Sequence, residues 1–456
     1  MAPSTQDGLT SPLLEYEDFF RYTSGRWLWD EEQQLAIGTN ASMSREGITK
    51  SSRLVMNDGK TVIARIPNPN TGPPFYATAS EVATMELVRT VLRIPVPEVY
   101  EWCASADNNP IGAEYIIMEE AQGVQPANVW NVLTADSKLA IMREVVSIET
   151  KLLSLSFSHY GNIYFAQDAV QNSVPAEIIR STPLDYATSI ARREIAWIKN
   201  YAVLKAPDDP LLVSAAQNSP DAHIRLLEDF LKAAPYLLDI DRRLTRPTLW
   251  QTDLHSSNLF VHGDRITSVI DWQGVWAGPL FLQAQPPQLV DYQGEMLLKR
   301  PDNFDDLDDR KTQIRQQIAR STLFQLYLLQ IRKQNPLLAA VFHLDHGKTR
   351  RLPVEFAGNT WDDDIVSFRE VLINECPIHF SEEDLKNHLR DSEGWNEVQD
   401  FLESIDGLVK RDGWTHNETF DEARSFFSRL REVGLSEMKG RGRERFERET
   451  RWVERS

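Results

Sequence analysis

Three side chains in one short stretch have the types and spacing that phosphoryl transfer requires. Asp253 and Asn258 lie five residues apart in Gln251-Thr252-Asp253-Leu254-His255-Ser256-Ser257-Asn258, and Asp271 follows after two apolar runs. Carboxylate and amide oxygens suit Mg2+, which bridges phosphate oxygens and neutralises charge as it develops. A separate carboxylate can orient an acceptor hydroxyl and take its proton. This reading makes Asp253 the base and Asn258 with Asp271 the metal pair. Simpler roles stay open, because Asp and Asn favour turns and caps and Asp271 can merely end a strand. His255 has no ligand-spaced partner nearby and is not read as a metal ligand. The tryptophans read mainly as core, although Trp272 or Trp276 could wall a site beside Asp271.

The elements around these residues must bring them together. The apolar run 259–261, the turn His262-Gly263-Asp264-Arg265 and the apolar run 266–270 predict a hairpin. If it is tight, Asn258 and Asp271 converge at its open end while Asp253 faces the same cavity. Upstream, Asn57-Asp58-Gly59-Lys60 predicts a hairpin turn, followed by a strand over Thr61–Ile66 that ends at Pro67. Val82, Met85, Val88 and Leu92 recur at helical steps and predict a helix over 78–92. Tyr115–Met118 predicts a strand running into Glu119–Gly123. Beyond about residue 124 the patterns are mainly helical, over 136–154, 185–206, 224–245, 311–334, 363–376, 382–406 and 417–436. Residues 247–276 interrupt them with strands. Residues 13–36 read as an aromatic-rich helical lead-in broken near Ser24-Gly25. The tail from Lys439 alternates Arg and Glu, as a solvated helix or a frayed end does.

These motifs together carry a resemblance. Asp253 to Asn258 has the D-L-x-x-x-N spacing of a kinase catalytic loop. The pattern QTDLHSSNLFV…ITSVIDWQG resembles the catalytic segment of the aminoglycoside phosphotransferase family, small-molecule kinases with a protein-kinase-like fold. FFRYTSGRWLWDEEQQLA, VIARIPNP and YIIMEEAQG resemble a fungal subgroup that includes altered inheritance of mitochondria protein 9-like proteins. The resemblance implies an α+β fold with two lobes. A small N-lobe (residues 1–120) would hold an antiparallel sheet and bind ATP, and a mainly helical C-lobe (121–456) would hold catalysis and a small-molecule hydroxyl acceptor. It implies that Arg65 contacts phosphate, that Glu81 pairs with that cation, and that Met118, Glu119 and Ala121 meet adenine. Asp253 would act as base, and Asn258 and Asp271 would hold Mg2+.

This chain also departs from the pattern. Arg65 stands where kinase-like folds often have Lys, and the two are not interchangeable. Gln251 stands where a scaffold His is frequent. Trp272-Gln273 replaces the Phe-Gly that follows the metal-binding Asp in protein kinases, and no A-P-E segment follows. There is no G-x-G-x-x-G, and the nearest phosphate-covering stretch is Ser42 to Ser52. Arg65 could instead point to solvent. Thr78-Ala79-Ser80-Glu81 is also a capping-box pattern, which would give Glu81 a purely local role. Together, Arg65 and Gln251 motivate a second reading, a pseudokinase that binds nucleotide or a partner without turnover.

Composition limits the alternatives. With 456 residues, two or three structural units are expected at roughly 100–200 residues each. A hydrophobic fraction of 41% and a charged fraction of 25% indicate a globular chain. Lys and Arg number 49 against 67 Asp and Glu, a net charge of −18 that disfavours nucleic acid and anionic lipid as main partners. Two cysteines without motif spacing suggest a reducing compartment. No apolar run is long enough to span a bilayer. The N-terminus lacks both an apolar signal core and an Arg-rich amphipathic stretch. The expected location is therefore cytoplasmic, with mitochondria as the alternative that the resemblance suggests.

Overall fold

A computed structural model describes residues 25–27, 49–67, 75–171, 180–205, 212, 214–292, 294–301, 310–361, 365–376, 378–404, 414–416 and 420–454. Most of the 13–36 lead-in, the larger part of the Ser42–Ser52 stretch and the loop over 68–74 lie outside these residues. The chain divides into two compact units, residues 51–396 and residues 1–50 together with 397–456.

The strands in chain order are β1 (Gly25–Trp27), β2 (Thr49–Val55), β3 (Thr61–Pro67), β4 (Val99–Cys103), β5 (Tyr115–Glu119), β6 (Pro247–Leu249), β7 (Leu259–His262), β8 (Arg265–Val269), β9 (Ala277–Pro279) and β10 (Trp414–His416). The main sheet has the order β2-β3-β5-β4. The predicted turn joins β2 to β3, with Gly59 at φ +85° supplying the left-handed backbone that it needs. Helix α1 (Tyr76–Thr90) follows, matching the predicted helix. Its residues Val82, Met85 and Val88 enter a core with Ile116 and Met118 of β5.

Helix α2 (Ala135–Ser154) joins this sheet region to the helical region. Ile141, Val145, Ile148 and Leu152 on one side of it enter the same core as α1, β5 and the hairpin β7–β8. Met142, Val146 and Leu153 on another side enter a second core. That core also takes in α3 (Pro183–Tyr201), α4 (Pro220–Leu237), α5 (Lys311–Gln334), α6 (Pro336–Phe342), α7 (Gly347–Phe356) and α8 (Ile365–Glu375). The result is the expected α+β, kinase-like architecture, an antiparallel sheet with one packed helix followed by a mostly helical region.

Several boundaries differ from the sequence expectation. Helix α3 stops at Tyr201, where Ala202 turns extended. Helix α4 begins at Pro220, capped by Ser219, and ends at Leu237 rather than running to 245. A separate turn over Arg242–Thr245 starts on Asp241, whose carboxylate accepts the Arg243 N–H at 2.8 Å. In the other unit, Gly25–Trp27 is a strand, not part of a helix, and pairs antiparallel with Trp414–His416. The Arg/Glu-rich tail is helical over Gly440–Glu449.

One buried acid makes stability depend on pH. Glu149 on α2 is 1% exposed. One of its oxygens accepts the Tyr327 hydroxyl at 2.8 Å, and the other has no partner among the described residues. Burial pushes this carboxyl up to about 8, against the downward pull of the Tyr327 hydrogen bond. An unfolded chain would release the same proton at about pH 4.3. Between those values the folded chain binds a proton that the unfolded chain has lost. Stability therefore falls as pH rises, by up to about 1.4 kcal/mol per unit, and levels off above about pH 8. Glu149→Gln removes this slope. In urea melts, its advantage over the parent chain is expected to grow by about 1–3 kcal/mol between pH 5 and pH 7.5. An advantage equal at both pH values would refute the assignment.

Candidate active site

The hairpin β7–β8 pairs Leu259 with Val269 and His262 with Arg265. Its apolar side, Leu259, Val261, Ile266 and Val269, is buried in the core shared with α1 and β5. At the open end the Ile270 N–H donates to the Asn258 carbonyl at 2.9 Å, which brings Asn258 beside Asp271 in the chain path. The preceding loop is tightly self-bonded. Asn258 Nδ2 donates to the Asp253 carbonyl at 3.0 Å and to Asp253 Oδ2 at 3.2 Å. The His255 N–H donates to the Asp253 carbonyl, and the Asn258 N–H to the His255 carbonyl. The Ser257 N–H donates to His255 Nδ1 at 3.1 Å, so His255 serves the loop's own geometry.

Gln251 ties the two halves of the site together. Its Nε2 donates to the Asp271 carbonyl at 2.5 Å, and its Oε1 accepts the Asp253 N–H at 3.1 Å. The residue that looked like a departure thus makes one bond to each side. Asp271 sits at φ +59°, a left-handed conformation that non-glycine residues adopt at a cost of about 1–2 kcal/mol. The Gln251 bond and the contacts of its side chain hold it there. Trp272 is fully buried and donates to the Val269 carbonyl at 3.0 Å, so it is core and does not wall the site. Trp276 is half-buried and stacks on Tyr186 at 4.8 Å.

Arg65 and Glu81 are both buried and paired with each other. The capping-box alternative fails, because α1 begins at Tyr76 and Thr78 donates to Glu114 instead. Nor does Arg65 point to solvent. Its Nη2 donates to Asp271 Oδ1 at 3.0 Å and to Gln273 Oε1 at 2.9 Å. Burial pushes the Glu81 carboxyl up to about 7, with Arg65 pulling it down and the Asp271 charge adding to the rise. For Arg65 the charges of Glu81 and Asp271 outweigh burial and raise it. Gln273 entered the sequence reading only as half of the Trp272-Gln273 departure, and was given no role at the site.

The connector after β5 lies against the same hairpin. Met118 is buried in the shared core, opposite Ile63 on β3 and Val99 on β4. The Glu119 N–H donates to the Glu98 carbonyl at 2.8 Å. Among the described residues the Ala121 N–H has no partner, and Ala121 is half-buried. Glu120 is held by the Arg53 guanidinium and the Thr61 hydroxyl. Gly123, at φ +112°, then lets the chain pass the hairpin, where a Cβ would come 2.5 Å from the Val261 carbonyl oxygen. Val124 and Val261 exchange backbone hydrogen bonds at 2.9 Å.

A divalent cation suits the donors present. With Nδ2 of Asn258 committed to Asp253, the Asn258 Oδ1 is left as an acceptor. The Asp271 side chain is 32% exposed, so its carboxylate is open on one side. Two oxygens from the protein, completed by phosphate and water, match the usual manner of Mg2+ binding.

Residues 45–281 match the model of the phosphotransferase enzyme family. A subtelomeric hrmA-associated cluster protein of Aspergillus fumigatus is 29% identical, over 84% of this chain and 90% of that protein. The altered inheritance of mitochondria protein 9, mitochondrial, of Yarrowia lipolytica is 24% identical, over 88% of this chain and 79% of that one. Among solved structures, the apo form of a thermostable aminoglycoside phosphotransferase APH(4)-Ia mutant aligns with a TM-score of 0.36 and 14% identity, over 80% of this chain and 99% of that one. The streptomycin-ATP complex of APH(2'')-IIa aligns with a TM-score of 0.37 and 11% identity, over 74% and 92%. No described helix is long and apolar enough to cross a membrane. The family match takes in more than half of the 456 residues, and this chain belongs to the phosphotransferase enzyme family.

Proposed function

We propose that the chain moves the γ-phosphate of ATP to a hydroxyl of a small molecule. The observation that carries this reading is the linkage of Asp253, Asn258 and Asp271 through Gln251 and the Ile270–Asn258 bond. Asp253 orients the acceptor hydroxyl and takes its proton. Asn258 Oδ1 and the Asp271 carboxylate hold Mg2+, which supplies charge neutralisation at the phosphates when bound. Arg65 steadies the nucleotide phosphates while Glu81 keeps its guanidinium in place. The connector from Glu119 to Ala121, with the Ala121 N–H as donor, receives adenine above Met118. Residues 1–120 form the nucleotide lobe in this reading, and residues 121–456 the catalytic and acceptor lobe.

Thermal unfolding tests the site. A ligand that binds only the folded chain stabilises it by about 2.7 kcal/mol at one hundred times its Kd. The midpoint is expected to rise with ATP and Mg2+, to rise less with ATP and EDTA, and to lose the Mg2+-dependent part in Asp271→Ala. A run with GTP and Mg2+ separates the two nucleotides. No shift with either nucleotide at millimolar concentration would overturn the reading.

One observation favours the pseudokinase alternative: Arg65 Nη2 already occupies one oxygen of Asp271. The two readings part on ATP consumption in the presence of a metabolite pool, which a pure binding protein does not show. Location is a separate question. The Yarrowia relative is named as mitochondrial, which supports mitochondria over the cytoplasmic expectation, and a fluorescently tagged chain imaged against a mitochondrial dye decides between them.

A further inference from the structure

Arg65 does more than pair with Glu81. Its guanidinium reaches acceptors on two separate segments, Glu81 on α1 and, after the hairpin, Asp271 Oδ1 at 3.0 Å with Gln273 Oε1 at 2.9 Å. Nη1 serves the helix acid and Nη2 serves the other two. The Arg65 side chain is 8% exposed and that of Asp271 is 32% exposed, so the cation grips from the closed side a carboxylate that is open on the other. A lysine ammonium is a single point of charge. The planar fork, with two nitrogens held apart, lets one side chain serve both acids at once.

In the phosphotransferase reading, that carboxylate is one of the two protein groups offered to a divalent cation. A guanidinium and a divalent cation on one carboxylate repel each other. Among the described residues no group of three or more His, Cys, Asp or Glu side chains would hold a metal. Phosphate oxygens alter both conditions. They complete the shell of the cation, as Mg2+ sites commonly require, and they offer Arg65 Nη2 another anion.

We propose that Arg65 makes metal uptake at Asp271 conditional on nucleotide, holding the carboxylate until phosphate oxygens engage its Nη2. Metal alone is refused, and metal with nucleotide is accepted. Reciprocity of binding then requires that nucleotide and metal each tighten the other. The identity of the anion rests on the phosphotransferase reading, whereas the Arg65–Asp271 contact does not.

The test titrates the full chain with Mn2+ alone and reads free Mn2+ from its electron paramagnetic resonance signal, so no turnover is needed. Arg65→Lys keeps a cation for Glu81 but gives up the fork. The double variant Arg65→Met/Glu81→Gln removes cation and acid together and leaves no stranded buried charge. Both are expected to bind Mn2+ alone at least about tenfold more tightly than the parent chain. Adding Asp271→Asn to Arg65→Lys is expected to abolish that gain. Affinities within about twofold of the parent in both variants would overturn the proposal. A parallel thermal arm with AMP-PNP and Mn2+ checks the underlying reading. No shift there defeats the phosphotransferase reading, while the Mn2+ titration still decides whether Arg65 holds metal off Asp271.

Discussion

Replacing Asp253 by Asn is expected to lower ATP consumption by about 100- to 10,000-fold, the usual contribution of a placed general base. Nucleotide binding should survive. Among the described residues the side-chain hydrogen bond to its carboxylate comes from Asn258 Nδ2 at 3.2 Å, with His255 Nε2 3.8 Å from the other oxygen, and an amide oxygen can accept the same Asn258 bond. The Asp253 side chain is 23% exposed, so the change strands no deeply buried group. The variant should therefore keep the Mg2+-dependent thermal shift with ATP that Asp271→Ala loses. This contrast separates a base from a metal ligand, which activity alone cannot do because both substitutions stop turnover. Loss of the nucleotide shift in Asp253→Asn would mean that the carboxylate belongs to the binding site. An unchanged rate of ATP consumption would remove it from the chemistry.

The parts of the molecule legible in the sequence were those written by local periodicity. Val82, Met85 and Val88 recur at helical steps because that side of α1 enters the apolar core, and the Gly263 turn between two apolar runs leaves a hairpin as the simple solution. Other elements had no such signal. Strand β4 follows Pro97 and leaves Tyr100 and Glu101 exposed, so it shows no apolar alternation. Helix α7 contains Pro353, a residue that ordinarily argues against helix. Strand β1 draws its partner from about 390 residues away, which no local pattern reveals.

Within the candidate site, residue types were legible and their partners were not. Glu81 fitted a cap and an ion pair equally well until the start of α1 at Tyr76 removed the cap. Arg65 could be placed on a strand, but its partners lie 16 residues on, in α1, and 206 residues on, in the chain after β8. Gln251 looked like a loss because the expected scaffold residue was judged by identity. Its amide has a donor and an acceptor, and the fold uses both.

That double use gives the second large effect. Gln251→Ala is expected to reduce ATP consumption by about 10- to 100-fold, since a shift of about 1 Å in a catalytic group can cost that much. The residue is 5% exposed, and its removal leaves the Asp271 carbonyl and the Asp253 N–H without their bonds from this side chain. An unpaired polar group costs about 1–3 kcal/mol when fully buried, and these two bonds are only part-buried, so a smaller fall in stability should accompany the loss of rate. Asp271 also loses a tether that holds its left-handed backbone. A neutral imidazole likewise carries one donor and one acceptor. Gln251→His is therefore expected to recover most of both losses, whereas Gln251→Leu, similar in size but without polar atoms, should behave like Ala. Rates and urea midpoints measured on the three variants distinguish a hydrogen-bonding role from a packing role. If Leu matched the parent chain while His did not, Gln251 would be filling space, and the linkage between Asp253 and Asp271 would have to run through the hairpin alone.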